Sequence, residues 1–222
     1  MNLCFFLEGR RTEPKVYRAW VSYVFPQLTE VKIISDMRQD NYLLISGFGY
    51  QQMLTILDQI LDDLNQYGGI DHFFVCLDAE EDPPEVRQRQ IETCISSKLS
   101  HTTCHVIIHN CCIETWFLGN RQMMKRNPQS ERLRAWKSFY DVSKLCPESM
   151  ECHPDFRLRA DFHLAYLKEM LRERGLNYSK SLPRPVQESS YLLALAARHE
   201  KTGHIRSFGR LVESWRAIGG SI

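Results

Sequence analysis

Short apolar runs alternate with amphipathic segments over the first 120 residues. Runs of strand length occupy residues 3–7, 31–34, 42–45, 72–77 and 104–109. Between them, apolar positions three or four residues apart predict helices over residues 16–25, 53–64 and 85–99. This alternation of strand and helix predicts an α/β domain with a mostly parallel central sheet flanked by helices.

The pattern changes after about residue 120. Residues 121–150 are polar, with aromatic anchors at Trp136, Phe139 and Tyr140. Three more helices are predicted over residues 161–174, 189–201 and 205–217. We therefore predict two parts, an α/β core over residues 1–120 and a mainly helical part over residues 121–222 that packs on the core or extends it.

Carboxylates stand where two of the predicted strands end. Glu8 follows the first run, Asp78 and Glu80 follow the run 72–77, and Glu114 lies early in a predicted helix. The carboxyl ends of parallel strands meet at one edge of the sheet, which is where ligands bind in open α/β sheets. Hard oxygen ligands of this kind suit Mg²⁺ or Mn²⁺. The alternative is that these groups only cap helices or face solvent, and their shared placement at strand ends favours a site.

Composition narrows the class of protein. The chain is 43% hydrophobic and 25% charged, which is ordinary for a globular protein. The absence of a long apolar segment or a leader-like pattern predicts a cytoplasmic protein with no membrane partner. The net charge of +1 hides dense basic stretches over 125–134 and 157–216. They predict either a local surface for nucleic acid or simply solvated helix faces.

Two further patterns are weaker. The eight cysteines include no Cys-x-x-Cys pair, and the one dense Cys/His patch contains Cys104, His105, His109, Cys111 and Cys112. Reduced thiols explain it more simply than zinc does. Gly47-Phe48-Gly49 lacks the third glycine and the lysine of phosphate-binding loops, so a tight strand-to-helix connection is the better interpretation.

Several of these motifs resemble the Toprim fold, named for topoisomerases and primases. The resemblance lies in Glu8-Gly9-x-x-Thr12-Glu13-Pro14 after the first strand and in Asp78-x-Glu80 after a later one. The segment 108–118 is similar to the Asn-Pro-x-Phe-Glu-x-Trp-Leu-Leu segment of small RloB-like and OLD-type Toprim proteins of bacterial defence systems. Tyr178-Ser179-Lys180 resembles their Tyr-x-Lys element. Departures are Glu80 in place of the commoner aspartate, Cys111 in place of proline and Ile113 in place of phenylalanine.

The resemblance implies a metal-dependent nuclease of a phage-defence system that acts on DNA or tRNA beside an ABC- or SMC-like ATPase. It makes Glu8 a metal ligand or general acid/base, and Asp78, Glu80 and Glu114 metal ligands for Mg²⁺ or Mn²⁺. By the same resemblance, Lys180 is expected to contact a phosphate or the transition state. The alternative is a catalytically degenerate Toprim-like subunit that binds or regulates an ATPase complex, and a homo-oligomer is compatible with either. A phosphotransferase or phosphatase with Asp78 as nucleophile is disfavoured, because enzymes of the haloacid dehalogenase type have that aspartate on the first strand, where this chain has Glu8.

Overall fold

A computed structural model describes residues 1–46, 50–96, 98–99 and 101–222 of the chain. Its strands form one sheet, all of whose pairings are parallel, in the order β2-β3-β1-β4-β5. The strands are β1 (Leu3–Leu7), β2 (Thr29–Val31), β3 (Asn41–Ser46), β4 (His72–Asp78) and β5 (Thr103–His109). The predicted α/β class with a parallel sheet is confirmed.

Helices follow most of the strands and then continue alone to the end of the chain. They are α1 (Glu13–Val24), α2 (Tyr50–Tyr67), α3 (Pro84–Ser96), α4 (Ile113–Phe117), α5 (Glu131–Phe139), α6 (Arg159–Arg172), α7 (Arg184–Gln187), α8 (Ser189–Thr202) and α9 (Arg206–Ala217). Single 3₁₀ turns lie at Ile34–Asp36 and Pro147–Ser149. Among the described residues, no helix is both long enough and apolar enough to cross a membrane.

The sheet is buried on both faces, as the apolar character of its central strands requires. Successive side chains of β1 point to opposite faces. Leu3, Phe5 and Leu7 therefore join one hydrophobic cluster, whereas Cys4 and Phe6 join another. The second cluster contains the apolar faces of α2 and α3. The first contains α1 together with side chains from α4, α6, α8 and α9.

The C-terminal helices thus share one core with the first helix and the sheet. Trp20 of α1 is fully buried and donates its indole N–H to the carbonyl of Val186 in α7, at 3.0 Å. Trp116 of α4 donates to the hydroxyl of Ser207 in α9, at 2.6 Å. Phe5 of β1 meets the ring of Trp215 edge-on, with centroids 6.4 Å apart. Residues 121–222 therefore cover an apolar face that the first 120 residues leave open.

Three local predictions differ from the structure or fall outside it. The second strand ends at Val31, and the apolar residues Ile33 and Ile34 lead into a 3₁₀ turn, with Ile33 exposed at the sheet edge. Helix α5 lies in the stretch that was predicted only as polar with aromatic anchors. The connection predicted at Gly47-Phe48-Gly49 lies outside the described residues.

Strand order places a topological switch point between β1 and β4. The chain leaves β1 toward β2 and β3 on one side, and it leaves β4 toward β5 on the other. Connections that diverge from neighbouring parallel strands open a crevice at their carboxyl ends. The residues directly after β1 and at the end of β4 therefore form the natural walls of a binding site.

Candidate active site

Glu8 and Asp78 meet at this switch point. Leu7 of β1 is in register with Cys76 of β4, so the residues that follow both strands emerge side by side. The backbone N–H of Glu8 donates to the carbonyl of Cys76 at 3.3 Å. The backbone N–H of Asp78 donates to Oε2 of Glu8 at 3.0 Å. The structure thus brings together two of the carboxylates that the sequence singled out.

A cleft of about 480 Å³ opens at this point. Carboxylates line its interior, and cationic side chains from the loop after β1 and from the C-terminal part stand at its edge. The charged residues of its wall are Glu8, Glu13, Asp78, Arg10, Arg11 and Lys180. Arg10 and Arg11 are exposed. An acidic interior with a basic edge can hold a cation and a phosphate next to each other.

Glu13 was not among the predicted site residues. It is the first residue of α1 and is only 6% exposed, and its carboxylate lies over the backbone of Gly9. A Cβ at position 9 would lie 1.9 Å from the Glu13 carboxylate, so glycine is required for this approach. Glu13 belongs to the Thr-Glu-Pro motif of the sequence, and that motif is the feature that could have identified it as a site residue.

Burial and mutual repulsion disfavour the charged forms of these acids. Burial, then the charge of Asp78, raises the pKa of Glu13 to about 7. Burial raises the pKa of Asp78 well above its usual range, and the Glu8 and Glu114 carboxylates raise it further. Burial also raises the pKa of Glu8, although the hydrogen bond from the Asp78 backbone lowers it in part. Such groups ionise less readily than ordinary carboxylic acids, and a bound cation would favour their charged forms.

His109, the last residue of β5, contacts Asp78. Its Nδ1 lies 2.6 Å from Oδ1 of Asp78, and its Nε2 lies 3.2 Å from the hydroxyl of Tyr17. Complete burial lowers the pKa of His109 to about 4, so the ring is neutral at pH 7. With its proton on Nδ1, the ring donates to the Asp78 carboxylate and accepts from Tyr17. His109 therefore orients Asp78, a role that the sequence did not reveal.

Glu114 lies behind the cleft and is not part of its wall. It is 1% exposed and accepts a hydrogen bond from the hydroxyl of Tyr178 at 3.0 Å. Nζ of Lys180 lies 3.9 Å from Oε1 of Glu114. Burial alone would lower the pKa of Lys180, but Glu114 and the other nearby anionic groups raise it above its usual value. Through these two contacts, Glu114 anchors the segment that contains Lys180 and so keeps Lys180 at the wall of the cleft.

Glu80 occupies a different position from the other predicted ligands. Its side chain is exposed, and its backbone has a left-handed φ of 53°. Its N–H donates to the carbonyl of Cys111 at 2.8 Å, and its carbonyl accepts from Arg159 at 3.1 Å. Its charge contributes to the raised pKa of Glu8, so it lies within electrostatic reach of the cleft without lining it.

The Cys/His patch of the sequence is divided in the structure. Cys104 and His105 lie in the first half of β5, where His105 contacts His72 at 3.3 Å, and His109 faces Asp78. Cys111 and Cys112 lie instead beside His163 of α6, which the sequence did not connect with them. Among the described residues, these three form the one group of three or more His, Cys, Asp or Glu residues whose ligand atoms all lie within 4.8 Å of one another.

Comparisons with protein-family models, with curated proteins and with solved structures gave no match to this chain. The geometry of the cleft and the chemistry of the side chains that line it are therefore the features that indicate a function.

Proposed function

We propose that this protein is a divalent-metal-dependent nuclease with a Toprim-like core, which hydrolyses phosphodiester bonds of DNA or RNA. The observation that carries the proposal is the meeting of Glu8 and Asp78 at the ends of neighbouring parallel strands, inside a cleft edged by Arg10, Arg11 and Lys180. This arrangement offers anionic oxygens to a metal ion and cationic groups to a nucleic-acid backbone. A phage-defence role beside an ABC- or SMC-like ATPase belongs to the same proposal and rests on the motif resemblance alone.

The donor set fits Mg²⁺ or Mn²⁺. Glu8 and Asp78 offer carboxylate oxygens to the cleft, and Glu13 adds a third carboxylate to its wall. Burial, followed by repulsion from neighbouring acids, raises the pKa values of all three. Hard oxygen donors that are few in number are what Mg²⁺ uses when substrate phosphates complete its shell. We assign the metal to Glu8 and Asp78, with Glu13 beside them and Glu114 behind.

When bound, the ion would supply charge neutralisation at the phosphate and a more acidic bound water. The chain's own residues perform the other tasks. His109 holds the Asp78 carboxylate in one orientation through the 2.6 Å contact. Lys180, with its raised pKa, stays protonated and presents its charge at the cleft. Arg10 and Arg11 lie in the loop after β1, where they can contact flanking phosphates.

Thermal unfolding with increasing Mn²⁺ or Mg²⁺ tests the metal site without the need for a substrate. At a free metal concentration about 100 times Kd, binding stabilises the folded state by about 2.7 kcal/mol, which raises Tm by about 5–10 °C for a chain of this size. Asp78→Asn should abolish this rise. Asp63→Asn, an identical change at an exposed position of α2, should retain it.

Cleavage is then measured on single-stranded DNA, duplex DNA and tRNA with the same three proteins. We expect metal-dependent cleavage by the wild type and by Asp63→Asn, and its loss in Asp78→Asn. Undiminished cleavage by Asp78→Asn would refute the proposed mechanism. If the wild type shows no metal-dependent rise in Tm, the carboxylates hold no metal, and the alternative of a degenerate ATPase-associated subunit replaces the nuclease.

A further inference from the structure

A second cluster of possible metal ligands lies within electrostatic reach of Asp78 and has different chemistry. Cys111, Cys112 and His163 each offer one ligand atom, and these atoms all lie within 4.8 Å of one another. The three residues are 0%, 2% and 0% exposed. Two sulfurs and an imidazole are soft or borderline ligands, which bind Zn²⁺ in preference to Mg²⁺ or Mn²⁺.

The backbone is shaped so that two consecutive cysteines face the same point. In extended chain, neighbouring side chains point in opposite directions. Cys111 instead has a left-handed φ of 70°, and Cys112 returns to extended backbone with a φ of −151°. A non-glycine residue in the left-handed region costs about 1–2 kcal/mol. The hydrogen bond from the Glu80 N–H to the Cys111 carbonyl, at 2.8 Å, helps to hold this turn.

The histidine already has the arrangement of a metal ligand with its supporting contact. Its Nε2 lies 3.2 Å from the carbonyl of Met150, which can only accept, so Nε2 carries the proton. Nδ1 of His163 therefore keeps its lone pair, which now faces the hydroxyl of Thr115 at 2.8 Å. Metal-bound histidines commonly donate their other N–H to a backbone carbonyl in this way.

The geometry points to a buried Zn²⁺ site with three protein ligands, Cys111, Cys112 and His163. Tetrahedral zinc with its usual bond lengths needs ligand atoms about 3.5–3.8 Å apart. The distances between the three ligand atoms would therefore have to shorten by up to about 1 Å for the ion to bind. The hydroxyl of Thr115 lies 3.7 Å from Sγ of Cys112 and 2.8 Å from Nδ1 of His163, so it contacts two of the three ligands. The ion would join the loop between β5 and α4 to α6, and α4 carries Glu114. The site is independent of the proposed nuclease activity.

Metal analysis of the protein, purified from zinc-supplemented medium and dialysed against EDTA, tests the inference. We expect about one zinc per chain in the wild type and none in the double variant Cys111→Ser/Cys112→Ser. A control, Cys94→Ser/Cys104→Ser, removes the same number of thiols elsewhere and should keep the zinc. Asp78→Asn should also keep it, which separates this site from the cleft.

A spectrum of the wild type decides the matter even if the double variant fails to fold. Protein produced in cobalt-supplemented minimal medium should show thiolate-to-cobalt charge-transfer bands in the near ultraviolet and intense d–d bands typical of tetrahedral sites. Wild-type protein with neither zinc nor these cobalt bands would overturn the inference, and so would zinc retained by a folded double variant. A disulfide between Cys111 and Cys112 in metal-free protein, detected as the loss of two hydrogens from their shared peptide, would also overturn it.

Discussion

Glu13→Gln should make the metal-free protein more resistant to alkaline pH. Glu13 is buried in the wall of the cleft, and burial together with the charge of Asp78 raises its pKa to about 7. Glutamine has nearly the same shape as the protonated acid but never becomes charged. The substitution therefore leaves the low-pH form of the site almost unchanged and removes only the ionisation.

The sign and size of the effect follow from the difference between folded and unfolded pKa values. The folded pKa of about 7 lies above the ordinary value of 4.5, so the folded state holds this proton more tightly than the unfolded state does. Stability from this proton is complete below about pH 4.5 and is lost as the pH rises through about 7. At 1.36 kcal/mol per pKa unit, the loss is about 3 kcal/mol by about pH 8. Glu13→Gln does not undergo this loss.

Urea unfolding in EDTA at about pH 4.5 and about pH 8 measures the effect. The stability of Glu13→Gln relative to the wild type should increase by about 3 kcal/mol between the two pH values. Glu92→Gln, an identical change on the exposed surface of α3, should show no such increase. If Glu13→Gln differs from the wild type by the same amount at both pH values, Glu13 ionises as an ordinary glutamate, and the raised pKa given to it is wrong.

Two further predictions concern neighbours of the cleft. Gly9→Ala places a methyl group where the Glu13 carboxylate lies and should displace that carboxylate into water. In the Gly9→Ala background, Glu13→Gln should then change the pH dependence of the free energy of unfolding by less than about 1 kcal/mol. An effect that stays at about 3 kcal/mol in this double-mutant cycle would contradict the prediction. Tyr178→Phe removes a hydrogen-bond donor from the buried Glu114 and should lower the free energy of unfolding by about 1–3 kcal/mol in urea. Tyr67→Phe, at a 53% exposed position, is its control, and equal effects of the two changes would refute the role given to Tyr178.

The sequence predicted the strands well because the central strands of a parallel sheet are apolar on both faces. Such strands stand out as continuous runs between amphipathic helices. The prediction was poorer at the edge strand β2, where Ile33 and Ile34 continue the apolar run beyond the last residue that pairs with β3. Helix α5 was missed because its sequence is largely polar, and only Leu133 and Trp136 of it are buried.

The sequence alone could predict only those residues of the candidate site that stand at the ends of strands. Glu8 and Asp78 could be paired in advance because both follow apolar runs and parallel strands end at one edge. His109 could not be assigned to Asp78 without the register of β5 against β4, which places the two residues opposite each other. Cys111 and His163 are far apart in the sequence, and their proximity could not be predicted either. Nothing in the local sequence indicates which face of α6 meets the β5–α4 loop.

The C-terminal part completes the candidate site, because its contacts reach the cleft from behind. The hydroxyl of Thr12 donates to the carbonyl of Lys180 at 3.2 Å, and Tyr178 donates to Glu114. These contacts hold the segment 178–180 so that the charge of Lys180 lowers the pKa of Asp78, against burial and the neighbouring acids. A cation that favours the ionised carboxylate also lets a metal ion displace the proton at lower pH. The part of the chain after residue 120 therefore covers the core with its helices and, through Lys180 in the segment between α6 and α7, supplies the positive charge that the acidic cleft needs.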